Sequence, residues 1–123
     1  MKGTTTLELP RWAGSAGIAR LIVTAHGSSL ESDQLKNANV IVSELVSNAF
    51  QHGEGRIELT VESDADGVWA CVHDEGAGTI ATPEPRPARG GWGLYFVEQL
   101  ADQWGVAEDD SRVWFRVGLG TAA

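Results

Sequence analysis

Three stretches of the chain alternate strictly between apolar and polar positions. Ile57, Leu59 and Val61 fall on one side, as do Val68, Ala70 and Val72, and later Val113, Phe115, Val117 and Leu119. A period of two is the signature of a strand with one face toward a core. Asp64-Ala65-Asp66-Gly67 predicts a hairpin turn between the first two stretches, and Asp109-Asp110-Ser111 a turn before the last. Elsewhere the period lengthens to that of a helix. Ser15 to about His26 places Ile18, Leu21, Ile22 and Ala25 on an apolar side and stops at Gly27; about Ser32 to His52 repeats Leu35, Ala38, Val42, Leu45, Val46 and Ala49 and stops at Gly53. Thr4 to Leu9 reads as a short strand ended by Pro10, and Trp92 to about Gln103 as a last helix. The order is strand, helix, helix, strand, strand, loop, helix, strand, strand. Because each strand is apolar on one side only, the expected architecture is an α+β two-layer sandwich, a mixed β-sheet with helices on one face.

On the strand face away from the helices fall Trp69, Cys71 and Trp114. Large apolar groups there suggest a homodimer or partner surface, against which count the charges Glu58, Glu62, Arg112 and Arg116 on the same face. The length of 123 residues fits one domain over residues 1–123. With 42% hydrophobic and 21% charged residues the composition is that of a globular protein. Nine basic against 17 acidic side chains give a net charge of −8, which argues against a nucleic-acid partner, since such binding rests on clustered Lys and Arg. The lone Cys71 excludes an intramolecular disulfide and suits a reducing compartment; its expected role is packing or an interface. No stretch has signal-peptide or transmembrane character, so the expectation is a cytoplasmic protein with no membrane association.

Three segments carry chemistry. Glu44 and Asn48 stand four residues apart on the second helix, near Asn37, Ile41 and Gln51, and so project together. They are either an ordinary solvated polar face or a carboxylate that takes a proton beside an amide oxygen that ligates Mg²⁺. Asp74 falls on the helix-covered face of its strand, where a carboxylate needs donors such as the exocyclic amine of a purine. Gly76 and Gly78 follow it and allow close approach of a flat base, although Asp and Gly also make plain turns. Gly90-Gly91-Trp92-Gly93-Leu94 sets backbone N–H groups at a helix start, where phosphate is favoured. It matches neither a P-loop nor a Rossmann turn. Arg86 and Arg89 are the nearby cations; Arg86 reads as a surface charge, while Arg89 reads equally as a phosphate ligand or a solvated surface charge. His26, His52 and His73 show no zinc spacing and read as surface or edge residues.

Taken jointly, Glu44-Leu45-Val46-Ser47-Asn48-Ala49, Asp74-Glu75-Gly76-Ala77-Gly78 and Gly91-Trp92-Gly93-Leu94 resemble the N, G1 and G2 boxes of the GHKL ATPase superfamily, whose domain is the Bergerat fold. The short loop and the Ser-Glu-Leu-Val-Ser-Asn-Ala form look most like bacterial anti-sigma-factor serine kinases. The resemblance implies ATP and Mg²⁺ as cofactors, with Glu44 as base or water-orienting group, Asn48 as metal ligand and Asp74 as adenine selector. Gly76 and Gly78 would shape the base pocket; Gly91, Gly93 and Leu94, with Arg89, would form the phosphate end; residues 79–89 would be the ATP lid, stiffened by Pro83, Pro85 and Pro87. The implied activity is phosphorylation of a serine on a STAS-type antagonist protein, coupled to sequestration of a sigma factor, often by a homodimer. The alternative is a non-catalytic module in which nucleotide only shapes a protein-binding surface.

Overall fold

The computed structural model describes residues 3–76, 92–107 and 112–118, with side chains of the last helix from Tyr95 onward. The chain runs β1 (Gly3–Leu9), α1 (Ser15–His26), α2 (Ser32–His52), β2 (Ile57–Ser63), β3 (Val68–Asp74), α3 (Trp92–Leu100), β4 (Gln103–Val106) and β5 (Arg112–Val117). The predicted order is therefore present. The five strands form one sheet in the order β1-β2-β3-β5-β4. Every neighbouring pair is antiparallel, so the sheet is not mixed as the pattern predicts. The α3 crossover does return β4 parallel to β3, but β5 inserts between them and leaves no parallel neighbours.

Helix α2 starts with a capping box, in which Gln34 Oε1 accepts the Glu31 N–H at 2.9 Å, and ends where Gly53 N–H reaches the Ala49 carbonyl. It packs against both α1 and α3 and lies over β3 and β5. Ala38, Val42, Leu45, Val46 and Ala49 are buried as the period requires. Ile41 is fully buried as well, although the pattern sets it beside the polar pair. In α1 the buried stripe is Ala16, Ala19 and Val23, flanked by half-buried Ile18 and Ile22. Leu21, assigned to that stripe from the sequence, is instead 73% exposed, and Ala25 is exposed too. Small residues bring α1 close to the sheet, which turns the opposite side outward.

Helix α3 ends at Leu100, three residues short of its expected end, because Gln103 already pairs with Arg116 in β4. On the covered sheet face, Ile57, Leu59, Val61, Val68, Ala70, Phe115 and Val117 are all essentially inaccessible and form the core with the three helices. The β2–β3 hairpin is closed by Asp64, whose Oδ1 accepts the N–H groups of Asp66 at 2.8 Å and Gly67 at 3.0 Å. Those bonds, with the Arg116 guanidinium behind them, hold its carboxyl below the usual range. His26, expected at the surface or an edge, is half-buried beside the edge strand β1. Its Nε2 meets Thr5 Oγ1 and its Nδ1 meets Ser63 Oγ, both at 2.8 Å, which ties the end of α1 to β1 and β2.

Candidate functional site

Glu44 and Asn48 stand one turn apart on α2 and are both half-buried. Ile41 on the same side is sealed by packing, so the pair lies beside the core rather than on an open polar face. Glu44 also closes one end of a groove of about 500 Å³ between α1 and α2, with Arg20, Lys36, Val40 and Ser43 along it. Arg20 crosses the groove and donates to Ser43 Oγ at 2.8 Å.

Asp74 ends β3 on the helix-covered face and is only 4% exposed. Its Oδ1 accepts the Gly76 N–H at 2.7 Å, so the strand leaves the sheet in a turn that points the carboxylate back toward α2. At Gly53, just past α2, a Cβ would come within 2.5 Å of Asp74 Oδ2, so only glycine admits the carboxylate there. The far end of α2 thus meets Asp74. At about 1.5 Å of rise per residue, Glu44, Asn48 and the Asp74 contact spread over roughly 13 Å along one helix, on the scale of an extended nucleotide.

Arg11 holds this end of the site. Its Nη2 donates to the carbonyls of Phe50 at 2.7 Å and Gly53 at 3.0 Å, and Nη1 to that of Gly55 at 3.2 Å. Two of these acceptors flank the end of α2, where helix carbonyls lack partners and a cation is favoured. The third is Gly55, whose φ of 66° is left-handed backbone that other residues adopt with strain. The loop so fixed carries Gly53 against Asp74, and its Glu54 carbonyl accepts the Glu75 N–H at 2.8 Å. Glu75 in turn accepts the Arg56 N–H through Oε1 at 2.6 Å. Sequence reasoning missed Arg11, and no periodicity or motif marks it, because its acceptors lie 39 to 44 positions away.

Of the other residues singled out in the sequence, Gly76 is buried beside Asp74, while Gly93 and Leu94 lie in the first turn of α3. Gly78, Arg89, Gly91 and the lid segment fall outside the described residues, as do Leu119 and the Asp109–Ser111 turn. Among the described residues no cluster of His, Cys, Asp or Glu has the makings of a metal site, and no helix is long and apolar enough to cross a membrane. Oxygen donors suit Mg²⁺, which keeps most of its waters and takes few protein ligands, so the Asn48 amide beside the Glu44 carboxylate fits that ion better than a closed cage would.

Comparison with known proteins bears on the family and the fold. The chain is 28% identical over 118 residues to the anti-sigma F factor of Bacillus subtilis (strain 168), an alignment covering 83% of this chain and 81% of that protein. It is 26% identical over 127 residues to the anti-sigma F factor of Bacillus thuringiensis (strain Al Hakam), covering 90% and 87%. The crystal structure of the RsbU and RsbW domains of Rv1364c from Mycobacterium tuberculosis superimposes with a TM-score of 0.65 at 17% identity, over 94% of this chain and 31% of that longer one, which establishes the shared fold. Residues 12–117, which carry α1 through β5 and the described residues Glu44, Asn48, Asp74 and Gly76, match the model of the histidine kinase-like ATPase domain, and the chain belongs to that family.

Proposed function

We propose that the protein is an ATP-dependent serine kinase and anti-sigma factor, which phosphorylates a STAS-type antagonist and sequesters a sigma factor. One observation carries the reading: a half-buried carboxylate and amide share a face of α2, and the end of that helix abuts a buried, backbone-bonded aspartate. The names of the anti-sigma F factors it resembles support the sigma-factor part of this reading, and the antagonist follows from the resemblance of the three motifs.

In this reading Asp74 Oδ2 accepts the exocyclic amine of adenine, while the Gly76 N–H keeps Oδ1 occupied and the carboxylate oriented. Gly76 and Gly78 are assigned to the base pocket on the resemblance, while the absence of a side chain at Gly53 leaves the Asp74 carboxylate its place. Asn48 would hold Mg²⁺ through its amide oxygen, and that ion would supply neutralisation of charge on the phosphates. Glu44 accepts the proton of the attacking serine hydroxyl as the γ-phosphoryl group passes to its oxygen and ADP leaves. Gly91, Gly93, Leu94 and Arg89 are assigned to the phosphate end on the resemblance of the Gly-rich turn. Positioning supplies most of the rate in such a transfer, so the rigidity of α2 matters as much as the identity of its side chains.

Calorimetric titration with Mg²⁺-ATP, alongside Asp74→Asn, tests the pocket. The parent binds, and the variant loses roughly a hundredfold in affinity, ~2.7 kcal/mol, because the amide presents a donor to a donor. Equal affinity of the two proteins removes the adenine assignment. Glu44→Ala is expected to keep ATP binding within a few-fold while phosphoserine on a STAS-domain substrate, read by phosphate-affinity electrophoresis, disappears. If the parent itself binds ATP and the antagonist yet forms no phosphoserine, the chain is a nucleotide-gated binding module and Glu44 has no chemical role.

A further inference from the structure

At the open end of the β2–β3 hairpin the regular pairing stops with Ile57 opposite Asp74. One step further the same register would set Arg56 opposite Glu75, but the chain does not continue that way. Gly55 turns into left-handed backbone with a φ of 66°, and the Glu75 N–H reaches past Arg56 and Gly55 to the Glu54 carbonyl at 2.8 Å. The pairing is therefore offset where β3 ends, and a side chain closes the offset. Glu75 folds back across it, and its Oε1 accepts the Arg56 N–H at 2.6 Å. The same carboxylate lies over Gly55, where a Cβ would collide with it, so the bare glycine both permits the turn and makes room for Glu75. Arg11 fixes this loop from another side through three carbonyls, while Glu75 supplies the side-chain bond between the loop and the end of β3.

Asp74 is oriented between the two segments that this bond joins. Its Oδ1 takes the Gly76 N–H at 2.7 Å, and its Oδ2 lies against Gly53. Glu75 is the chain neighbour of Gly76 and is bonded to the loop that carries Gly53, so it holds both sides of the carboxylate at once. We infer that Glu75 is a specificity-determining positioning residue for the base. It acts through Asp74 and not on the nucleotide, by fixing the direction in which Oδ2 points. The inference rests on the reading of Asp74 as the acceptor of the adenine amine. A purine with an oxo group in place of that amine offers an acceptor where adenine offers a donor, so a carboxylate held in place meets it acceptor to acceptor. Rejection of this kind is strong only where the buried polar group cannot turn to another partner. A carboxylate free to swing neither gains the whole of the amine contact nor enforces refusal of the oxo group. Glu75 itself is exposed, so its side chain can be changed without opening the core.

Calorimetric titration with Mg²⁺-ATP and with Mg²⁺-ITP, whose base carries the oxo group, tests it on the parent, Glu75→Ala and Glu75→Gln. Circular dichroism melts verify that both variants are folded. The parent is expected to prefer ATP. Glu75→Ala should lower the ratio of ATP to ITP affinity about tenfold, by weakening ATP and leaving ITP nearly unchanged. Glu75→Gln keeps an oxygen acceptor for the Arg56 N–H and should hold the ratio within about twofold of the parent's. Both variants remove the same negative charge, and whatever that charge does to the phosphates is common to the two nucleotides and cancels in the ratio. An alanine variant that loses both affinities in proportion, or only melts earlier, overturns the inference and leaves Glu75 a structural residue. A glutamine variant as unselective as the alanine one overturns it as well, because the acceptor would then not be what matters. A parent that binds the two nucleotides equally, or neither, overturns the adenine reading of Asp74 and this inference with it, whereas a selective parent with an equally selective alanine variant overturns this inference alone.

Discussion

Phe115 and Trp114 are neighbours in β5 with opposite surroundings. Phe115 is fully buried under the helices among Ile, Leu and Val side chains, whereas Trp114 is half-buried on a face that also carries Arg112, Arg116 and Glu58. The covered face is aliphatic and closed by α1, α2 and α3. The other holds aromatic surface without enclosing it. Stability is therefore concentrated on one side of the sheet, and recognition chemistry is free to develop on the other.

The largest effect is expected from Phe115→Ala, which removes a ring from a closed core and should destabilise the fold by about 3–5 kcal/mol in urea unfolding. Trp114→Ala removes more atoms but should cost less than half as much in the monomer. Equal losses at the two positions would erase the difference between the faces.

Next comes Arg11→Ala, which leaves three carbonyls at the end of α2 without their cation and should cost about 1–3 kcal/mol. Because the loop it fixes sets Gly53 against Asp74, the affinity for ATP should fall several-fold, while phosphoryl transfer at saturating ATP changes little. Loss of stability with unaltered affinity would make Arg11 purely structural.

The mildest probe is Cys71, which is 6% exposed yet lies on the uncovered face. Burial pushes its thiol up to about 11, with the Arg112 guanidinium pulling weakly the other way. The unfolded thiol ionises at lower pH than the folded one. Its contribution to stability is accordingly complete below about pH 8.5 and is lost as pH rises toward 11. Comparing urea midpoints of the parent and Cys71→Ser between pH 8 and 10 should show the parent losing its advantage. A difference that does not vary with pH would mean that Cys71 is no more enclosed than its neighbours Trp69 and Trp114.

Much of this architecture was legible in the sequence because backbone geometry imposes its period locally. Alternation in 57–61, 68–72 and 113–117 identified the strands and the inward side of each, and the glycines at 27 and 53 marked where α1 and α2 stop. The placement of Asp74 on the covered face followed from the same alternation, and so did the partnership of Glu44 with Asn48 from the helical one. Errors arose where a residue's surroundings depend on what packs next to it. Leu21 is as apolar as Val23, but only Val23 points between α1 and the sheet. Ile41 shares its side of α2 with Glu44 and is nevertheless sealed by the packing around it.

The sequence by itself determined the elements, the face each presents, and the order of the three segments that suggest a nucleotide site, since all of these depend on spacing within a few turns or residues. Only the tertiary structure decided that β5 lies between β3 and β4, that Arg11 clamps the end of α2, that His26 ties α1 to two strands, and that acidic and basic rows end on opposite sides of one face. Those relations join residues from about 20 to more than 40 positions apart. They are set by the path of the whole chain, which no local period encodes.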